Sequence, residues 1–277
     1  MMHQMKKAIV FIASLALCVS ALAQQIREQN PADHNPRVFP MPIKHLVAHS
    51  DILGVDKNFS VILPKSYETQ PDRYYPVVYM LHGGGENDWE WANIPSMMLN
   101  EVVNKMTADG TAAECVIVFP NATEYQGGYG NREGWRYEDY FFEELMPLVE
   151  KNFRVLADKG HRAVGGLSMG AGGTYQFALA HPELFSSAYA ISGHCSQDVE
   201  SFSEEKLAAV KTVNFVIDCG DDDIAFDNAV KSFQAFKRVG IPVQFRCRDG
   251  VHATFYWYDS FCLALQYFTR HFSDQCP

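Results

Sequence analysis

Positive charge is scarce in this 277-residue sequence: 23 lysines and arginines stand against 33 aspartates and glutamates, a formal net charge of -10. That balance argues against a nucleic-acid partner, because phosphate binding needs a basic face. Metal-ligand spacing is missing as well. No two cysteines form a CxxC pair, and His45 and His49 lack the glutamate of an HExxH motif. A metal site is therefore not expected, and the two histidines read as a surface pair. The chain shows no internal repeat, low-complexity tract or linker. Beyond residue 23, no apolar run is long enough to span a membrane.

The one long apolar run is N-terminal. Lys6 and Lys7 precede AIVFIASLALCVSALA, which ends in Ala21-Leu22-Ala23, a small-x-small cleavage pattern. Residues 1–23 read as an export signal, which places the mature chain outside the cytoplasm, secreted or periplasmic. Six cysteines then remain: Cys115, Cys195, Cys219, Cys247, Cys262 and Cys276. Whether any of them pair is open, because connectivity does not follow from spacing. Residues 24–39 are polar and unpatterned and read as a flexible segment. Residues 40–277 read as a single domain.

Within that domain the apolar pattern alternates between two periods. A hairpin is expected around DILGVDKN, between strands near Ile43–Ala48 and Phe59–Leu63. Fully apolar runs at Val77–Leu81 and Cys115–Phe119 suit strands buried on both faces of a parallel sheet. Further strands are expected at Ala163–Gly165, Ser187–Ile191, Val213–Cys219 and Val243–Cys247. Helical patterns fall at Ile94–Ala108, Tyr137–Lys151, Gly170–Ala180, Asp227–Val239 and Ser260–Phe272. The alternation predicts an α/β fold, a mostly parallel central sheet with helices on both faces.

One stretch stands out against this background. GGLSMGAGG, residues 165–173, sets a serine among five glycines. It lies between a predicted strand and a predicted helix, the position of a GxSxG nucleophile elbow. A hydroxyl attacks only when a base takes its proton, and the base needs an orienting carboxylate. Four histidines follow Ser168. His181 and His271 sit at a helix end and inside a helix, and His194 precedes every suitable acid. His252 lies in a loop just after the last strand, where parallel sheets assemble their sites. In FVIDCGDDDIAF, Asp218 belongs to the strand, and Asp221, Asp222 and Asp223 remain as candidate acids. An oxyanion needs two donors. Met169 N–H follows the nucleophile, and His82-Gly83-Gly84-Gly85 follows Val77–Leu81 in a matching position. No GK[ST] follows those glycines, so a phosphate loop is not expected.

These segments resemble the esterase D branch of the α/β-hydrolases, which includes feruloyl and acetylxylan esterases. The resemblance covers about residues 45–272. It is carried by VVYMLHGGGENDWEW, VIVFPNA, YFFEELMPLVEKNFRV, AVGGLSMGAGG, FVIDCGDDD and GVHATFYW. It implies an α/β-hydrolase fold and a triad of Ser168, His252 and Asp223, the acid following a G-x-x-D pattern with Asp222 as fallback. Met169 and Gly84 are the implied oxyanion donors. The resemblance implies an acyl-enzyme mechanism with no metal or cofactor. The expected partner is a feruloyl or acetyl ester of a plant polysaccharide. The alternatives are a short-chain or siderophore esterase, an acyltransferase, or a non-catalytic carbohydrate binder. Trp257 matches the aromatic that follows the family histidine. Trp135, in the aromatic and glycine-rich stretch 121–140, is a candidate to stack on substrate.

Overall fold

The computed structural model describes residues 25–29, 43–89, 99–123 and 128–273. The predicted export signal and Cys276 lie outside them. Nine strands form one sheet in the order β1-β2-β3-β5-β4-β8-β9-β10-β11. They are β1 (Arg27–Gln29), β2 (Ile43–Ser50), β3 (Val55–Ile62), β4 (Val77–Leu81), β5 (Val116–Pro120), β8 (Arg162–Leu167), β9 (Ser187–Ile191), β10 (Asn214–Gly220) and β11 (Val243–Arg248). Pairing is antiparallel from β1 through β3 to β5, and parallel from β5 to β11. Two short strands, β6 (Asn131–Arg132) and β7 (Trp135–Arg136), form a separate hairpin.

The parallel strands owe their place to side chains that are apolar on both faces. Every residue of β4, β5, β8 and β9 is buried. Such strands need cover above and below. On one face lie α3 (Met146–Asn152), α4 (Met169–Ala180) and α6 (Phe226–Val239), which supply Val149, Phe177 and Phe236 to one core. On the other lie α1 (Leu99–Ala108) and α7 (Thr254–His271), which supply Val103, Phe261 and Phe268 to a second core. A short helix α5 (Glu204–Val210) joins β9 to β10.

Several elements differ from the sequence reading. The helix expected over Tyr137–Lys151 has three parts: α2 (Tyr137–Asp139), a π-helical turn Tyr140–Leu145, and α3. The widened turn carries Glu144, whose carboxylate accepts from Ser50 Oγ and from the Asp51 and Ile52 amides of the β2–β3 turn. The last helix starts at Thr254, six residues earlier than expected, which puts its first turn directly behind His252. Arg27–Gln29, in the polar segment without a strand pattern, pairs with β2 as an edge strand. His45 and His49 are not a surface pair. His49 is exposed beside Asp56, whereas His45 is 4% exposed and shares a hydrogen bond with Ser60 Oγ. Cys115, Cys195, Cys219, Cys247 and Cys262 are free thiols, and burial pushes Cys115 and Cys219 up to about 12.

Candidate active site

The C-terminal ends of the parallel strands bring the predicted residues together. Ser168 directly follows β8 and opens α4, with φ 52° and ψ -112°. A side chain rarely adopts this conformation, and residues that do are held there by their surroundings. Here the Ser168 amide donates to Ile191 O at the end of β9. The glycine two residues later lets the turn pass under β4: a Cβ on Gly170 would lie 2.2 Å from Leu81 O. The strained turn lifts the hydroxyl off the sheet edge and aims it at His252. Ser168 Oγ and His252 Nε2 are 3.0 Å apart.

On the far side of the imidazole, His252 Nδ1 is 2.9 Å and 3.1 Å from the two Asp223 carboxylate oxygens. Of the three aspartates left open in the sequence, Asp223 is the one whose carboxylate meets the imidazole. Asp223 is buried, and Ala225 N–H donates to Oδ1, which fixes the carboxylate. Asp221 turns instead to Gly250 N–H, and Asp222 is exposed. Asp218 is fully buried below the site, accepting from Tyr189 and Tyr256 hydroxyls. The two loops meet because they touch backbone to backbone: a Cβ on Gly220 would lie 2.2 Å from Gly250 O, and Asp222 N–H donates to that same oxygen.

Gly84 and Met169 stand side by side. A Cβ on Gly84 would lie 4.0 Å from Met169 Cβ. The N–H of Met169 sits in the first turn of α4, where helix-terminal amides favour negative charge. His82 pins the glycine loop. Its ring is buried, its Nδ1–H donates to Gly83 O, and its Nε2 accepts from Ala122 N–H. An amide can only donate, so Nε2 is the bare nitrogen and the ring is neutral. Burial lowers its pKa to about 4. Behind it, Asp88 accepts from Ser60 Oγ and Asn121 Nδ2, and Glu86 accepts from Gly83 N–H. Only the glycines of this loop were legible in the sequence. Of the polar groups that hold it, Glu86 and Asp88 belong to the same loop, but Ser60, Asn121 and Ala122 come from β3 and the end of β5 and follow no local spacing.

The two tryptophans differ: Trp257 packs against the site, and Trp135 does not line the cavity over Ser168. Trp135 is 4% exposed and lies in the core with Lys57 Nζ 5.3 Å from its ring, leaving little surface for a ligand. Trp257 is also buried. Its Nε1–H donates to Ser192 Oγ, and its ring meets His252 edge to face at 5.1 Å. Its ring packs against the imidazole. Sequence reasoning missed Ser192, which follows β9 with φ 53° and lies beneath the loop Gly193–Ser196.

Among the described residues, a cavity of about 530 Å³ opens over Ser168, Met169, His194, Ile224, Asn228 and His252. Another, of about 420 Å³, lies at the opposite end of the strands beside Pro76, Glu114 and His161. It holds no nucleophile paired with a base.

An endo-1,4-beta-xylanase/feruloyl esterase of Xylanibacter ruminicola is 28% identical over 216 residues, covering 75% of this chain and 28% of that protein. The chain spans under a third of the length of the curated relatives it matches. A solved ferulic acid esterase is similar with TM-score 0.79 and 33% identity, over 83% of this chain and 98% of its own. The ferulic acid esterase of Anaeromyces mucronatus in complex with ferulic acid shares the fold, with TM-score 0.65 at 20% identity, over 81% of this chain and 89% of its own. The Esterase family model matches residues 50–267. With its mostly parallel sheet and a serine at the strand-to-helix turn, the chain belongs to the Esterase family and has the α/β-hydrolase fold.

Proposed function

We propose that this chain is a serine carboxylic-ester hydrolase that removes feruloyl or acetyl groups from plant polysaccharide. The observation that carries the reading is the continuous hydrogen-bonded path from Ser168 Oγ through His252 to the buried Asp223. Ser168 Oγ attacks the ester carbonyl carbon as its proton passes to His252 Nε2. Asp223 holds the imidazole by Nδ1–H and stabilises the imidazolium. The carbonyl oxygen becomes an oxyanion that accepts from the Met169 and Gly84 N–H groups. The C–O bond to the alcohol breaks, and His252 returns the proton to the leaving oxygen. Water then attacks the acyl-serine by the same route, with His252 as base, and frees the acid.

Two lines support the acyl group. The Xylanibacter ruminicola relative and the solved relative above are both named as ferulic or feruloyl esterases. The cavity over Ser168 carries one strongly exposed apolar side chain, Ile224, 86% exposed, directly after Asp223 in the chain. An exposed apolar group at the edge of such a cavity suits an aromatic acyl chain. The predicted leader supports export, and the mature protein is expected to begin at Gln24 on N-terminal sequencing.

The test is turnover of p-nitrophenyl acetate by wild type and Ser168→Ala, followed by a panel of methyl ferulate, acetylated xylan and tributyrin. The expected result is activity only in wild type, highest on methyl ferulate or acetylated xylan. Equal activity in both proteins removes Ser168 as nucleophile. A preference for tributyrin makes this a short-chain esterase, and transfer to an added alcohol exceeding hydrolysis makes it an acyltransferase.

A further inference from the structure

The cavity over Ser168 has a neighbour. His194 and Asn228 line it, and the same two residues line a second cavity of about 380 Å³ that continues along α6. The floor of this second cavity is apolar, with Val199 and Phe236 buried beneath it. Its edges are polar: Gln197, Asn228, Lys231 and Arg238. Arg238 is held by Glu200, but Lys231 is exposed and makes one long contact, 3.3 Å to Asn228 Oδ1. From Asn228 to Arg238 the helix rises about 15 Å, room for a short oligosaccharide.

The loop that forms the junction is built into its position. Ser192 takes φ 53°, its amide donates to Asp218 O, and its hydroxyl accepts from Trp257. Gly193 follows at a point where a Cβ would lie 2.5 Å from Ala171 Cβ. The chain is thus turned tightly over the first turn of α4, which leaves His194 exposed at the mouth of both cavities. Sequence reasoning set His194 aside as a base because it precedes the acids. Its placement gives it another task.

The two sides of Ser168 therefore differ in chemistry. Ile224 marks the apolar side, and the second cavity beyond His194 and Asn228 marks the polar one. An apolar floor edged by amide, imidazole and ammonium groups suits a sugar ring, which presents C–H faces and a rim of hydroxyls. We propose that the groove of His194, Gln197, Asn228 and Lys231 is a glycan subsite that holds the sugar on the alcohol side of the scissile ester. The proposal rests on the esterase reading above and names where the polymer lies.

The experiment compares two substrates that share one acyl group. One is methyl ferulate, or p-nitrophenyl acetate if acetate is the group turned over. The other is the same acyl group on an arabinoxylan or xylan oligosaccharide. Gln197→Ala/Lys231→Ala changes two groove residues that do not line the cavity over Ser168. The ratio of kcat/KM on oligosaccharide ester to kcat/KM on simple ester is expected to fall about tenfold, as for two hydrogen bonds lost to bound alcohol. Ala235→Trp, which fills the groove floor, should lower the same ratio. A ratio unchanged in both variants overturns the subsite, as does a wild type with no advantage on the oligosaccharide ester. Those results leave the esterase reading intact. Absence of turnover on any ester in wild type overturns the esterase reading, and the subsite falls with it.

Discussion

Two serines in this chain share an unusual φ. Ser168 has φ 52° and Ser192 has φ 53°, and among the described residues no other side-chain-bearing residue is left-handed. Each directly follows a parallel strand, β8 or β9. Each donates its amide to the last turn of the sheet ladder on the next strand, Ser168 to Ile191 O and Ser192 to Asp218 O. Their hydroxyls then part company. Ser168 Oγ points to His252 and lines the open cavity. Ser192 is 1% exposed, and its Oγ accepts from Trp257. In the proposed mechanism, a positive φ serves reactivity in one place and loop direction in the other. What separates them is what lies above: a base in one case, and the edge of a buried indole in the other.

The comparison breaks first at the reaction. Ser168→Ala is expected to lower kcat by about 10⁴ to 10⁶ while leaving the fold intact. Ser192→Ala is expected to lower it less than about tenfold, because only the support of Trp257 behind His252 is lost. Matched rate measurements on p-nitrophenyl acetate check both. If Ser192→Ala is as damaging as Ser168→Ala, Ser192 takes part in the chemistry and the distinction fails.

Asp223→Asn comes next. It keeps the shape of the carboxylate but loses its charge and allows the wrong imidazole tautomer, for an expected fall of about 10⁴ in kcat. Asp221→Asn and Asp222→Asn should change it little, because Asp221 serves Gly250 N–H and Asp222 faces solvent. A larger loss at either would move the acid. This is the point at which the sequence ran out. GxSxG and the loop histidine were legible because a strained turn and a strand end leave local marks. Choosing among three consecutive aspartates depends on how the 220 and 250 loops touch, and that contact joins residues 29 apart. The resemblance chose Asp223, whereas spacing alone did not.

Other features left no mark for the same reason. The parallel strands were readable because burial on both faces needs unbroken apolar runs. The start of α7 was not, since TFYWYD has no polar cap and its aromatics look equally like strand. The π turn keeps the amphipathic pattern of an ordinary helix and shows only in the backbone. Ser192 has a glycine on one side alone, and nothing in ISGH distinguishes it from a simple strand exit. His45 reads as polar until Ser60 and Asp88 are seen around it.

A smaller effect distinguishes the strained serines from the loop beside them. His82 takes up a proton in the folded protein only near pH 4, against an ordinary value of 6.5, because it is buried. Between those values the unfolded chain binds more protons, so stability falls as pH drops through the window and is unaffected above it. The loss approaches about 3 kcal/mol at the acid end. Urea midpoints at pH 7 and pH 4.5 should show this slope in wild type, Ser168→Ala and Ser192→Ala alike, since neither serine bonds His82. His82→Gln should flatten it. A slope unchanged in His82→Gln assigns the acid sensitivity to another group.

Ser192→Ala should then separate from Ser168→Ala in stability at neutral pH. It strips the acceptor from a buried indole N–H, for an expected loss of about 1–3 kcal/mol, whereas the Ser168 hydroxyl faces an open cavity and its removal should change stability by less than about 0.5 kcal/mol. Thermal unfolding of both variants checks the order, and a larger loss at Ser168 would reverse it.

The smallest expected effect is the most direct measure of the strain itself. Glycine adopts a positive φ without penalty, whereas other residues give up about 1–2 kcal/mol there. Against that stands the extra freedom glycine has when unfolded, about 0.5–1 kcal/mol. Ser168→Gly should therefore stabilise the fold by about 0.5–1 kcal/mol while abolishing turnover. Ser192→Gly relieves the same strain but also unpairs Trp257, so it should be neutral or destabilising. A gain at Ser168 and none at Ser192 would show that one backbone conformation is kept against the fold's own preference for the sake of a hydroxyl, and the other because the core needs it. If Ser168→Gly is instead less stable than wild type, the elbow is not under strain, and the nucleophile's position comes from its contacts with His252 and β9 alone.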